Sequence, residues 1–103
     1  MSQPALQNIM TDKRLSIAPM IDWTTTDYRF FARLLNPHTY LYTVMISTGA
    51  IIHGNTDRLL RFDTSEHPLV LQLGGADIPE MTQCAIAAQN RGSDEVNINV
   101  GCH

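Results

Sequence analysis

Four short apolar runs of strand character recur along the chain, at residues 15–19, 40–46, 68–73 and 95–100. The interval of roughly 25 to 30 residues is what a strand, a loop, a helix and a second loop require. Tyr40-Leu41-Tyr42 and Leu69-Val70-Leu71 are nearly continuous in apolarity, as strands covered on both faces tend to be. Between the first two runs, Thr24 or Thr25 can cap a helix in which Phe30, Phe31, Leu34 and Leu35 fall at helical spacing and which Asn36-Pro37 ends. Between the third and fourth the helix signal is stronger. Asp77 stands three residues before Glu80 in a capping-box arrangement, Pro79 lies in the first turn, Ile78, Met81, Ala85 and Ala88 form one face, and Gly92 supplies the stop. Residues 47–62 read as two short helical pieces broken at Gly54-Asn55.

Strand and helix alternating in this way predict an α/β fold with a parallel sheet, either doubly wound or a barrel. No linker or low-complexity stretch divides the chain, which stops after a strand at Cys102-His103. A parallel barrel takes eight strand-helix units and about 250 residues, so four units make its N-terminal half. Residues 1–14 precede the first unit and read as a flexible extension, leaving 15–103 as a partial barrel domain.

Charge and composition narrow the function classes. The 103 residues carry a formal net charge of -3, with 7 Lys+Arg against 10 Asp+Glu, and Lys13 is the sole lysine. Phosphate neutralisation dominates nucleic-acid affinity, so composition alone argues against RNA binding by this segment by itself. No apolar run approaches the ~20 residues that span a bilayer, and the N-terminus lacks a basic start with an apolar centre, which reads as a cytoplasmic protein without a membrane partner. Cys84 and Cys102 stand eighteen positions apart without a Cys or His pair at zinc spacing, so neither a metal nor a disulfide is implied.

In α/β folds the chemistry collects at the carboxyl ends of the strands. Those ends are Pro19-Met20-Ile21-Asp22, Met45-Ile46-Ser47-Thr48, Gln72-Leu73-Gly74-Gly75 and Asn99-Val100-Gly101-Cys102. Two amides and a thiol thus share one rim. The Gln72 amide donates and accepts at once, which matches the alternating N–H and C=O edge of a pyrimidine or a flavin. Cys102 follows Gly101 in a tight turn, and a thiol with an ordinary pKa near ~8.5 stays protonated at neutral pH, fit to donate a proton.

Ala18-Pro19-Met20, Leu71-Gln72-Leu73-Gly74-Gly75 and Asn97-Ile98-Asn99-Val100-Gly101-Cys102, in that order and spacing, resemble the successive landmarks of the tRNA-dihydrouridine synthases. Asp22-Trp23-Thr24 and the stretch from Ser47-Thr48-Gly49 to His53-Gly54 resemble the branch that modifies positions 20 and 20a of the tRNA D-loop. The resemblance implies a TIM barrel carrying FMN at its carboxyl rim, followed by a helical RNA-binding domain. It further implies NADPH as reductant of the flavin, hydride delivery to C6 of a tRNA uridine, and protonation of C5 by a cysteine. Carried over by position, Cys102 is the proton donor, Gln72 binds the flavin ring, Pro19, Met20 and Ile21 lie against the FMN, and Asn99 touches the uridine or nearby tRNA. The chain departs from the family at Val44, where Glu is usual, and at His103, where Pro is usual. The lysine, histidine and phosphate-binding loops that the family takes from later strands lie outside these four units, so the isolated 103 residues are expected to be inactive. Two other readings stand beside this one: a related FMN-dependent barrel acting on a free pyrimidine, and a remnant without catalytic activity.

The remaining polar residues have plainer readings. Cys84 sits beside the apolar face of the last helix and reads as packing. His38 and His67 adjoin turn prolines and read as solvated, His53 reads as structural, and Asp57, Arg58 and Arg61 form a charged helical face.

Overall fold

A computed structural model describes residues 15–101 of the chain. The first fourteen residues, Cys102 and His103 lie outside the described residues, and with them the expectations of a flexible extension and of the thiol's position. Strands β1 (Ser16–Ile17), β2 (Tyr40–Ser47), β3 (Leu69–Gly74) and β4 (Glu95–Asn99) form one parallel sheet in the order β1-β2-β3-β4. The helices are α1 (Thr26–Leu35), α2 (Thr48–His53), α3 (Thr56–Leu59) and α4 (Ile78–Asn90), with a 3-10 turn at Thr64–Glu66. The strand order never reverses. Among the described strands the sheet is wholly parallel and sequential, which bears out the α/β class.

Register sorts the sheet into two faces. Leu41, Ile46, Leu69, Leu71 and Leu73 stand on the helix side, where they are buried in two apolar clusters. One gathers Ile51, Leu60, Cys84 and Ala88 around Ile46, Leu71 and Leu73; the other sets Ala32 on Leu41 and Leu69. The opposite face climbs toward the carboxyl rim in three rows, Tyr42–Val70–Glu95, Met45–Gln72–Asn97 and Ser47–Gly74–Asn99. That face is largely polar, and in β4 strict alternation of Glu95, Asn97 and Asn99 with Val96 and Ile98 produces it. Between Tyr42 and Met45, β2 places two residues, Thr43 and Val44, against one of β3, Leu71. Within this bulge the Gln72 N–H donates to Thr43 Oγ1 at 3.1 Å, replacing a ladder bond with a side-chain one. Val44 packs half-buried against the larger apolar cluster.

The helix ends follow the expected chemistry. Thr25 caps α1 by accepting from the Tyr28 N–H, Asn55 caps α3 by accepting from Arg58, and Asp77 caps α4 by accepting from Glu80. α4 closes in a Schellman motif, with the Gly92 N–H on Gln89 O, the Ser93 N–H on Ala88 O, and Gly92 at φ +92°. The break between α2 and α3 lies at Gly54, where a Cβ would run into the Ala50 carbonyl oxygen. One full capping box occurs where none was expected: Asp63 accepts from Ser65 and its own N–H donates to Glu66 at 2.7 Å.

Several expectations need correction. β1 is two residues long, because from Ala18 onward the chain leaves the ladder for the turn at Met20. The Glu80 carboxylate accepts from Thr48 Oγ1 at 3.2 Å, tying α4 to α2. Ile78 is exposed, and the inner face of α4 is centred on Cys84 and Ala88. The largest correction concerns α1. Its Phe30, Phe31, Leu34 and Leu35 are exposed, and the buried residues are Arg29, Ala32 and Arg33. Arg29 Nε meets Glu66 Oε1 at 2.6 Å with both side chains inaccessible, and Arg29 Nη1 donates to Thr24 O at 2.6 Å. Arg33 donates to the carbonyls of Ser65, Asn36, Glu66 and Pro68. Burial pushes the Arg33 guanidinium down from its usual pKa, against the pull of Asp94 and Glu66. α1 is therefore fastened by two guanidinium groups to the loop that enters β3. His67, expected to be solvated, places Nδ1 2.7 Å from Asp94 Oδ2, and its ring meets Phe62 edge-on at 5.0 Å. His38 is exposed, and Cys84 is fully buried as packing requires.

Candidate functional site

At the carboxyl ends of β2, β3 and β4 the polar face opens into a cavity of about 540 Å³. Met45 and Ser47 line it from β2, Gly74 to Ala76 from the end of β3, and Asn99 to Gly101 from the end of β4. The glycines that end and follow β3, Gly74 and Gly75, leave room for close neighbours. A Cβ on Gly74 would come within 2.7 Å of Met45 Sδ, and one on Gly75 within 2.6 Å of Thr48 Oγ1. Thr48 itself is buried and held by Glu80, while its carbonyl faces Cys84 Sγ at 3.7 Å. Burial raises the Cys84 pKa, with the Glu80 charge adding to the effect, so this thiol is kept protonated.

One row below the rim, Gln72 is 8% exposed and its amide is engaged on both ends. Its Nε2 donates to Asn97 Oδ1 at 2.6 Å, and its Oε1 lies 3.5 Å from Asn99 Nδ2, long for a hydrogen bond. Asn99 Oδ1 in turn accepts from the Gly101 N–H at 2.8 Å, an Asx turn at the end of β4. After these contacts the Gln72 amide keeps one N–H and one lone pair uncommitted. Asn97 was not singled out from the sequence. Period-two spacing from Asn99 places it on the same face, which was the available signal.

Pro19, Met20 and Ile21 occupy the turn after β1. The Met20 carbonyl accepts from the Trp23 and Thr24 N–H groups at 3.0 Å, and the Met20 N–H donates to the fully buried Thr24 Oγ1. Asp22, at φ 69°, carries the chain through the left-handed region. Met20, Ile21 and Trp23 are left exposed on this loop. The structure thus brings Gln72 and Asn99 together, with Asn99 at the cavity. Pro19, Met20 and Ile21 stand on a separate strand-end loop, and His53 lies at the far end of α2, exposed. Among the described residues no group of three or more His, Cys, Asp or Glu gathers as a metal site, and no helix is long and apolar enough to cross a membrane.

The rim is open and poor in side chains, with Asn99 lining it and the Gln72–Asn97 amide pair one row below. The cavity lining contains no basic residue, and Arg29 and Arg33 are committed elsewhere.

Sheet order and site together define a sequentially wound parallel α/β domain with polar groups converging at the carboxyl rim. Comparison with known proteins supplies the family. Residues 16–103 match the dihydrouridine synthase family, and the chain belongs to it. It is 56% identical over 90 residues to the tRNA-dihydrouridine(20/20a) synthase of Pseudomonas aeruginosa, covering 87% of this chain and 27% of that protein. Identity is 55% over 91 residues with the Shewanella oneidensis synthase of the same name, covering 88% and 27%. With that of Escherichia coli K12 it is 50% over 101 residues, covering 98% and 29%. The chain thus spans less than a third of the length of these curated relatives.

Proposed function

We propose that this chain is the N-terminal half of the catalytic barrel of a flavin-dependent, cytoplasmic tRNA-dihydrouridine synthase acting at positions 20 and 20a of the D-loop. The observation that carries the reading is the amide cluster Gln72–Asn97–Asn99 beneath the rim cavity, in a chain of this family. Four parallel strands in sequential order are half the eight of a barrel. Apolar residues exposed at the two sheet edges support the same reading. Val96 and Ile98 stand uncovered on β4, and on the β1 side Leu15, Ile17, Phe31 and Leu35 line an apolar groove of about 310 Å³. Further strand-helix units would cover both.

FMN, reduced by NADPH, would supply hydride to C6 of the uridine, and the matching proton reaches C5 from Cys102. This chain's residues divide the remaining work. Gln72 binds the flavin ring through its uncommitted N–H and lone pair. Pro19, Met20 and Ile21 form a wall against the ring, on a loop fixed by Thr24. Asn99, which holds the turn at Gly101, touches the uridine or nearby tRNA. On this reading the phosphate of FMN and the tRNA are held by other parts of the full-length enzyme, in keeping with a described rim that carries no basic residue.

The test is a full-length chimera in which residues 16–103 replace the matching segment of the Pseudomonas aeruginosa relative. It is expected to purify with flavin absorbance and to form dihydrouridine at positions 20 and 20a in tRNA from a strain lacking the modification. A folded chimera that binds flavin but reduces only free pyrimidines would replace the tRNA reading with the small-molecule one.

A further inference from the structure

The amide cluster has a direction, and a backbone group sets it. A side-chain amide can present its oxygen and nitrogen in either of two orientations, and contacts between amides alone do not choose between them. The Gly101 N–H does choose, because a backbone N–H can only donate. It therefore selects the oxygen of Asn99, at 2.8 Å. The Asn99 nitrogen is then the atom directed at Gln72, and the Gln72 oxygen faces it at 3.5 Å, a long contact that still favours an acceptor on that side. The Gln72 nitrogen is left to face Asn97, whose oxygen accepts it at 2.6 Å. Asn97 stands directly opposite Gln72 in the β3–β4 register, and the short bond joins neighbouring strands without displacing either. Gln72 is nearly inaccessible, so an Asn97 without an acceptor would leave a buried N–H unsatisfied and the amide free to turn.

We propose that Asn97 is a positioning residue that locks the Gln72 amide in one orientation, so that its spare N–H and spare lone pair meet the ligand in a fixed order. The inference rests on the flavin reading above for the identity of that ligand, and on geometry alone for the lock. Reversal of the amide would set donor against donor and acceptor against acceptor along a flavin edge.

The experiment uses the full-length chimera with Asn97→Leu, which removes the acceptor at similar volume, and Asn97→Asp, which keeps an acceptor facing the Gln72 N–H. Two quantities are read: the FMN dissociation constant by fluorescence titration, and hydrogen exchange of the Gln72 side-chain amide in the 15N-glutamine-labelled, flavin-free protein. Asn97→Leu is expected to weaken FMN binding by about 10-fold, the loss of roughly one hydrogen bond, and to abolish protection of one Gln72 amide proton. Asn97→Asp is expected to retain protection and to bind within about 3-fold of the parent. Unchanged FMN affinity in folded Asn97→Leu overturns the positioning role. So does equal weakening in both variants, which marks a packing role. If the parent chimera binds no FMN, the flavin reading fails, and the exchange measurement still decides the lock: protection lost in Asn97→Leu and kept in Asn97→Asp sustains it, and any other pattern overturns it.

Discussion

Glu66 is the residue on which the β1–α1 loop depends most heavily, through a chain of buried contacts. Its carboxylate, with a fully inaccessible side chain, accepts from Arg29 Nε at 2.6 Å and from the Asp63 N–H at 2.7 Å. Arg29 passes the constraint on by donating to Thr24 O at 2.6 Å, and Thr24 Oγ1 holds Met20. Glu66→Leu would strand the Arg29 guanidinium, 5% exposed, without its counter-charge. Breaking a buried pair from one side costs about 3–5 kcal/mol. Arg29→Met would strand Glu66 and should cost a similar amount. The double variant removes both charges and leaves only the lost packing and the unpaired Asp63 N–H and Thr24 carbonyl, each worth about 1–3 kcal/mol when buried. The double is therefore expected to be no less stable than either single variant, with a favourable coupling of about 2 kcal/mol or more in the cycle. Urea unfolding of the full-length chimera and its three variants, followed by tryptophan fluorescence, measures this. Additive destabilisation would refute the reasoning, because it would mean that the two groups do not depend on each other.

Other consequences follow from the same contacts. Gly75→Ala should destabilise by about 1–3 kcal/mol, because Thr48 is pinned by Glu80 and cannot yield, whereas Gly74→Ala should cost less because the Met45 thioether can swing away; adding Thr48→Ala should recover part of the Gly75→Ala loss in thermal melting. Cys84 is held protonated by burial, so the stability it contributes is present below the ordinary thiol pKa of ~8.5 and declines as pH rises from there toward the raised folded value. Cys84→Ala should flatten that alkaline decline in unfolding curves, and an unchanged decline would assign it to another group. Asp63 runs the opposite way. Hydrogen bonds from Ser65 lower its pKa, so its contribution is present above about pH 3.9 and fades as pH falls toward the depressed folded value. Asp63→Asn should flatten the acid limb of the same curves.

The sequence showed which elements form and less about which faces they bury. The strand centres, the break at Gly54-Asn55 and the stop at Gly92 were legible because each rests on local chemistry: apolar runs, turn residues and a position that favours glycine. The inner face of α1 was not. Phe30, Phe31, Leu34 and Leu35 have helical spacing, but a periodic pattern does not say which side meets the sheet, and the partner that draws Arg29 inward lies 37 residues away at Glu66. The places of Gln72 and Asn99 near the carboxyl rim were legible from their strand-end positions, and Asn97 was readable from period-two spacing. What joins them was not, because the cross-strand register that sets Asn97 opposite Gln72 exists only once the sheet is formed. Met45 and Thr48 were placed at the rim by their strand-end position, but their close approach to Gly74 and Gly75 was not legible, because it depends on how the end of β2 and the start of α2 lie across β3.

The central claim is that this segment supplies the proton and the flavin-side contacts of tRNA uridine reduction. Its most direct test is single-turnover reduction of unmodified tRNA by the flavin-loaded full-length chimera and its Cys102→Ala variant. The account expects equal flavin content in both, dihydrouridine at positions 20 and 20a from the parent, and loss of turnover in the variant. Undiminished dihydrouridine formation by Cys102→Ala would contradict it.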